Sequence, residues 1–182
     1  MKAFSVLGTT KSGKTTTIEN IVKEITRRGY SVGTIKEIHY ENFAIDTPGT
    51  NTYRHRQAGA ELVCARGYQE TDIMYGHKLP IEEIIQFYTQ DYLIMEGVAD
   101  YNVPLIICAS DREKLQAYVK EPYFSRVFAI AGKVSNQGMD SFNQIPVINA
   151  ESSAGQLTDL VIEKVFDLLP EFFTPMLQPV RL

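Results

Sequence analysis

The sequence predicts an α/β fold: a three-layer α/β/α sandwich whose sheet is mostly parallel, with an antiparallel hairpin as an addition. Three observations predict it. Apolar runs at Lys2–Leu7, Tyr92–Met95, Pro104–Ala109 and Val127–Ala131 read as buried strands of a parallel sheet. Segments with helical period lie between such runs, and Ile18, Ile21, Val22 and Ile25 at i, i+3, i+4, i+7 give the clearest. The two kinds of segment alternate along the chain, and alternation covers a sheet on both faces.

In order, the run Lys2–Leu7 ends at Gly8, and Gly8-Thr9-Thr10-Lys11-Ser12-Gly13-Lys14-Thr15 follows at once. Gly, four variable residues, then Gly-Lys-Thr is the pattern of a phosphate loop. The glycines let the backbone approach an anion without a Cβ in the way. Successive N–H groups cradle phosphates, and the next helix aims its positive end at them. Lys14 brings a point charge to the terminal phosphates, and the Thr15 hydroxyl can ligate Mg2+. The sandwich is thus of the P-loop NTPase type, with Gly8, Thr9, Thr10, Lys11, Ser12, Gly13, Lys14, Thr15 and Thr16 as nucleotide-binding residues. Arg27 and Arg28 close the helix and Gly29 ends it.

Tyr30–Ile35 is the second strand candidate, and its return beside the first completes a right-handed strand-helix-strand unit. Lys36–Thr50 is a polar loop with a Thr47-Pro48-Gly49 turn, and Thr50 or Asn51 caps a short helix ending near Gly59. Glu61–Arg66 and Thr71–Tyr75 read as the hairpin. Pro80 at the first helical position opens a helix with Ile81, Ile84, Ile85 and Tyr88 on one face. Asp111–Val119 is a helix, and Pro146–Ile148 a further strand. Ser152 or Ser153 caps a last helix with Leu157, Leu160, Val161, Val165, Leu168 and Leu169 inward, stopped by Pro170. Residues 1–170 make one domain, and residues 171–182 form a tail resting on it or on a second subunit.

Composition narrows the function. Among 182 residues, 44% are hydrophobic and 22% charged, an ordinary globular balance. A net charge of -4 gives no support to nucleic acid or an anionic membrane as the main partner. No apolar stretch is long enough for a membrane span, and the chain enters strand and loop without a signal peptide. Cys64 and Cys108 read as buried free thiols. A reduced cytoplasm fits these features.

Ligands of open α/β sheets sit outside the carboxyl ends of the strands. Glu96 lies at such an end and Asp91 at the opposite one, so Glu96 is the acid that can face the loop. It can hold magnesium through a water or orient a nucleophile; the alternative is an exposed strand-end acid. Asp46, in the loop after the second strand, is the other candidate, with a turn or helix cap as its alternative. Lys14, Asp46 and Glu96 are thus the candidate catalytic residues, and Thr15, Asp46 and Glu96 the candidate metal contacts. Arg54 and Arg56 can reach phosphates or form a solvated basic face. The three histidines have no metal-ligand spacing. No Asn-Lys-x-Asp run marks a guanine pocket; Asp111 and Lys133 to Asn136 stand where base contacts would be.

These residues together resemble the molybdopterin-guanine dinucleotide biosynthesis protein B family, MobB. The resemblance rests on the loop Gly8–Thr15, on Ile35-Lys36, His39, Phe43, Asp46, Pro48-Gly49, Arg54 and Ala58-Gly59-Ala60, on Leu93-Ile94-Met95-Glu96-Gly97, and on Pro104 with Ile106. The family tends to have histidines where Glu37 and Tyr40 stand, and an aromatic and a lysine in place of Val98-Ala99. The resemblance implies a GTP-binding accessory protein of molybdenum cofactor maturation with weak Mg2+-dependent GTPase activity. It also implies a homodimer working beside the guanylyltransferase that modifies molybdopterin.

Two other readings fit the loop. One is an ATP-using enzyme on a small metabolite, similar to dethiobiotin synthetase; the other is a nucleotide-gated interaction protein with negligible turnover. All three share one expected result. Lys14→Ala weakens triphosphate binding by a few kcal/mol and leaves folding intact, because the phosphate charge loses its main cation. Calorimetric titration checks it, and an unchanged affinity would remove the phosphate-loop reading.

Overall fold

Strand β1 (Lys2–Gly8) sits at the centre of the sheet because it presents almost nothing to water: Ala3–Leu7 are all buried. The one hydroxyl among them, on Ser5, is satisfied by the carbonyls of Met95 and Val98 at 2.9 and 2.6 Å. In the computed structural model, residues 1–168 are described. They divide into two compact units, Met1–Glu37 with the chain from Gln86 onward, and Ile38–Ile85.

The first unit holds a parallel sheet of β1, β2 (Val32–Lys36), β5 (Tyr92–Glu96), β6 (Leu105–Cys108) and β7 (Val127–Ala131), in the order β2-β5-β1-β6-β7. Alternation along the strands sorts the core into two faces. Phe4, Val6, Ile94 and Ile106 meet Ile18, Ile21 and Ile25 of helix α1 (Lys14–Arg27) and Leu157 and Val161 of α5 (Ala154–Lys164). Leu7, Leu105, Ile107 and Ile130 meet Leu115 of α4 (Arg112–Tyr118) on the other face. Each fully buried Ile or Leu contributes about 1.5–3 kcal/mol by leaving water. Arg28 ties α1 to α5, donating to Asp159 at 2.7 Å and to the Gly155 carbonyl at 3.1 Å. Val6 and Lys36 both register with Glu96, and Gly8 with Cys108, so these strand ends share one carboxyl edge.

At that edge β7 runs into Gly132, whose φ of +82° is left-handed. A Cβ on Gly132 would lie 2.3 Å from the Ser12 carbonyl oxygen, and one on Gly13 would lie 3.0 Å from the Gly132 Cα. The Lys133 N–H donates to the Ser12 carbonyl at 3.0 Å, so the turn after β7 is fastened directly to the loop after β1.

The second unit contains α2 (Asn51–Gln57), the antiparallel hairpin β3 (Leu62–Arg66) and β4 (Thr71–Tyr75), and the short α3 (Ile81–Ile85). Thr50 caps α2 by accepting from the Tyr53 N–H. The hairpin is a two-stranded sheet of its own.

Several boundaries differ from the sequence expectation. Cys64 is exposed, because a two-stranded hairpin buries little of either face; Cys108 is buried, and burial pushes its thiol up to about 12. Pro80 precedes α3 and lends its carbonyl to the N–H of Ile84. Tyr88 lies beyond α3, its hydroxyl donating to the Thr34 carbonyl at 2.6 Å and its ring against Gly33 of β2. Residues 141–146 form a small hairpin, β8 (Ser141–Phe142) with β9 (Ile145–Pro146), and only Val147 bridges to β7. Ser153 stands at the start of α5 without a side-chain cap, and α5 ends at Lys164, where Asp167 bridges back to Lys2. The expected roles of Leu169, Pro170 and the tail fall outside the described residues.

Gly132 is therefore a fastening point that tolerates no side chain. Gly132→Ala is expected to cost about 2 kcal/mol or more in stability and to weaken phosphate binding, because both the positive φ and the Ser12 carbonyl oppose it. Gly138, at φ +69° with nothing within 4 Å of a built Cβ, is the control. Gly138→Ala should cost only about 1–2 kcal/mol and leave binding intact. Denaturant unfolding and a nucleotide titration of both variants check this.

Candidate nucleotide site

The loop between β1 and α1 is shaped by two left-handed residues, Lys11 at φ +63° and Gly13 at φ +100°. Such turns point backbone N–H groups into one concavity, which suits an anion. The first N–H groups of α1 add to it: Gly13 at the cap offers no side chain, and the first turn holds no acid to neutralise the helix end. Gly8 must be glycine, since a Cβ there would lie 2.4 Å from the Cys108 carbonyl and 2.5 Å from Ser12 Oγ. That Ser12 hydroxyl is fully buried and has no hydrogen-bond partner among the described residues. A buried hydroxyl without a partner in a loop of this turn geometry fits a polar, oxygen-rich ligand.

Lys14 folds over the loop, its ammonium donating to the carbonyls of Gly8 at 2.8 Å and Thr9 at 2.9 Å. This holds a full positive charge above the cradle. Thr15 and Glu96 meet at the rim: the Thr15 hydroxyl is 3.5 Å from Glu96 Oε1. Glu96 comes from the end of β5, is 13% exposed, and pairs through the same Oε1 with Lys36 Nζ at 2.7 Å. The loop after Glu96 is held by Arg126, whose guanidinium donates to the carbonyls of Ala99, Tyr101 and Val103. Thr15 with one carboxylate fits magnesium, whose remaining positions would be phosphate oxygens and waters. Among the described residues no cluster of three His, Cys, Asp or Glu offers an all-protein cage.

A groove of about 340 Å³ opens beside the loop. Gly13, Thr16 and Thr17 form one wall, and Lys133, Asn136, Asn149 and Glu151 the other. Its wall is tied together by Asn149, which donates to Asn136 Oδ1 at 2.6 Å and accepts from the N–H groups of Glu151 and Ser152. Clefts of this size take a nucleoside.

Lys14, Thr15 and Glu96 are thus brought together as their spacing suggests. Asp46 belongs to the second unit, where its carboxylate is already engaged. Oδ1 accepts from the Thr47 N–H and the Thr50 and Thr52 hydroxyls, and Oδ2 lies 3.7 Å from Arg56. It is 6% exposed, and the Thr50 hydroxyl leads the causes that hold it below the usual carboxylate range. Asp111 caps α4, accepting from Lys114 N–H through one oxygen and from the Ser110 hydroxyl through the other. Lys133 to Asn136 do line the groove except for buried Val134, while Asn149 and Glu151 were invisible in sequence. Their one local signal is their position after an apolar Pro146–Ile148 run, at a strand's carboxyl end.

Comparison with known proteins gives the family and the fold. The family described as Molybdopterin guanine dinucleotide synthesis protein B, MobB, matches residues 3–133. A probable molybdopterin-guanine dinucleotide biosynthesis adapter protein of Bacillus subtilis is 31% identical over 116 residues, 62% of this chain and 67% of that protein. A putative adapter protein of the same kind from Methanocaldococcus jannaschii is 30% identical over 120 residues, 62% of this chain and 49% of its own length. The match thus spans only about half of that relative. The crystal structure of Bacillus subtilis MobB superposes with a TM-score of 0.72 at 24% identity, covering 91% of this chain and 99% of that one. A MobB homolog from Bacillus stearothermophilus gives 0.64 at 18% identity, covering 89% and 97%. These likenesses are of fold, and with the family match over most of the length they make this chain a member of the MobB family.

Proposed function

We propose that this chain is a GTP-binding adapter of molybdopterin guanine dinucleotide biosynthesis, with weak Mg2+-dependent GTPase activity. The observation that carries the reading is the cradle: left-handed Lys11 and Gly13, the orphan Ser12 hydroxyl, and Lys14 held over them. The relatives are named adapter proteins of this pathway, and their names carry the pathway to this chain.

In this reading the N–H groups of Gly13 to Thr16 take the phosphates, and Lys14 moves its charge onto the terminal ones. The groove walled by Lys133, Asn136 and Glu151 takes the base and ribose. Magnesium, when bound, neutralises charge between the phosphate oxygens. Thr15 ligates it and Glu96 holds one of its waters. Asp46 Oδ1 is held within its own unit by the Thr50 and Thr52 hydroxyls. That engagement favours a second reading, nucleotide-gated binding with negligible turnover. Partners are a guanylyltransferase, molybdopterin and a second copy of the chain. Leu62, Ile73, Tyr68, Tyr40 and Ile45 of the second unit, all exposed, support self-association.

Three measurements test this. GTP should bind more tightly than ATP in the presence of magnesium, and Glu96→Gln should keep most GTP affinity while losing most single-turnover hydrolysis. A clear ATP preference would favour a metabolite kinase or synthetase, and hydrolysis unchanged in the variant would return Glu96 to a structural role. Light scattering should give twice the 20.5 kDa chain mass at micromolar concentration; a value of one chain mass would remove the dimer.

A further inference from the structure

Lys36 is the last residue of β2 and registers directly with Glu96, the last residue of β5. Their ion pair is therefore set by strand pairing and not by a chance surface encounter. It closes on Oε1, the oxygen that also faces the Thr15 hydroxyl, so the ammonium stands next to the position a magnesium ion would take. The Lys14 ammonium, also at the loop, is committed to the carbonyls of Gly8 and Thr9. The Lys36 side chain is 59% exposed. Its position is thus that of a charge, not of a packing element.

We propose that Lys36 is the resident counter-cation of the metal position: it stands on Glu96 when magnesium is absent and carries part of the triphosphate's charge in the metal-free complex. This rests on the phosphate-site reading above and adds a regulation to it, namely how strongly nucleotide binding depends on magnesium.

The sign follows from charge. Magnesium removes about two units of negative charge from a bound triphosphate, so a fixed cation nearby stabilises the metal-free complex more than the metal-loaded one. Removing Lys36 also leaves Glu96 unpaired. A bare carboxylate repels the metal-free triphosphate and attracts magnesium, which pushes the same way. Binding linkage is reciprocal, so nucleotide and magnesium each become more dependent on the other. Removing the charge of Glu96 acts oppositely: the freed ammonium helps the metal-free complex, and the metal loses a partner.

The test measures GTP affinity by calorimetry, with magnesium chloride and with EDTA, for the parent, Lys36→Met, Lys36→Arg and Glu96→Gln. Substitution at an exposed strand end should leave melting unchanged, which thermal unfolding confirms. The quantity read is the ratio of the two affinities. It is expected to rise roughly tenfold in Lys36→Met, mostly by loss of the EDTA affinity, and to stay within about twofold of the parent in Lys36→Arg. In Glu96→Gln it should fall below the parent's. The same ratio in all four proteins, or an equal loss in both buffers for Lys36→Met, would overturn the proposal while leaving the phosphate site standing. A parent that binds neither GTP nor ATP in either buffer would overturn both.

Discussion

The whole site depends on backbones meeting where no Cβ intervenes. Gly8 lies against the Cys108 carbonyl, Gly13 against Gly132, and Gly132 against the Ser12 carbonyl. These contacts lock the loop after β1 to the ends of β6 and β7, so the cradle is held by the sheet itself. A loop held only by its own turns would lose the N–H geometry to thermal motion. One held against the ends of two neighbouring strands keeps its geometry, so in the proposed reading it would cost little ordering when an anion arrives.

That rigidity explains the polar oddities around it. The helix α1 begins without a cap or an acid in its first turn, and the Ser12 hydroxyl is buried without a partner. Each feature alone costs stability. They persist together at one spot, where an anionic ligand would satisfy both. Strain and unmet hydrogen bonds concentrated at a site, with an ordinary core on both sheet faces, are what a functional site looks like in a sequence that otherwise agrees with its fold.

The legible parts of the sequence were those whose cause is contiguous. Strand, glycine loop and helix stripe sit within residues 2–25, so motif and context read together. Glu96 was legible through one rule, that ligands gather at strand carboxyl ends. Gly132, Asn149 and Glu151 were not, because their role arises only when β7 and the segment before α5 come beside the loop. The pair Lys36–Glu96 needed the strand order β2-β5, which periodicity cannot supply. Asp46 is open in sequence between metal contact and cap; its Oδ1 accepts from the Thr47 N–H and the Thr50 and Thr52 hydroxyls. The apolar run around Cys64 suggests burial, whereas alternation in the two-stranded hairpin leaves Leu62, Cys64 and Ile73 outside.

The charge of the chain shows why local placement outweighs totals. The chain is acidic overall, at -4, yet Lys11, Lys14, Lys36 and Lys133 all belong to the carboxyl edge or its rim. Glu96 and Glu151 stand against them there, and Glu96 is already paired. A field of this kind is short-ranged at physiological salt, falling off over about 8 Å. In the proposed reading it favours a compact, highly charged anion at the loop over an extended polyanion lying across the surface.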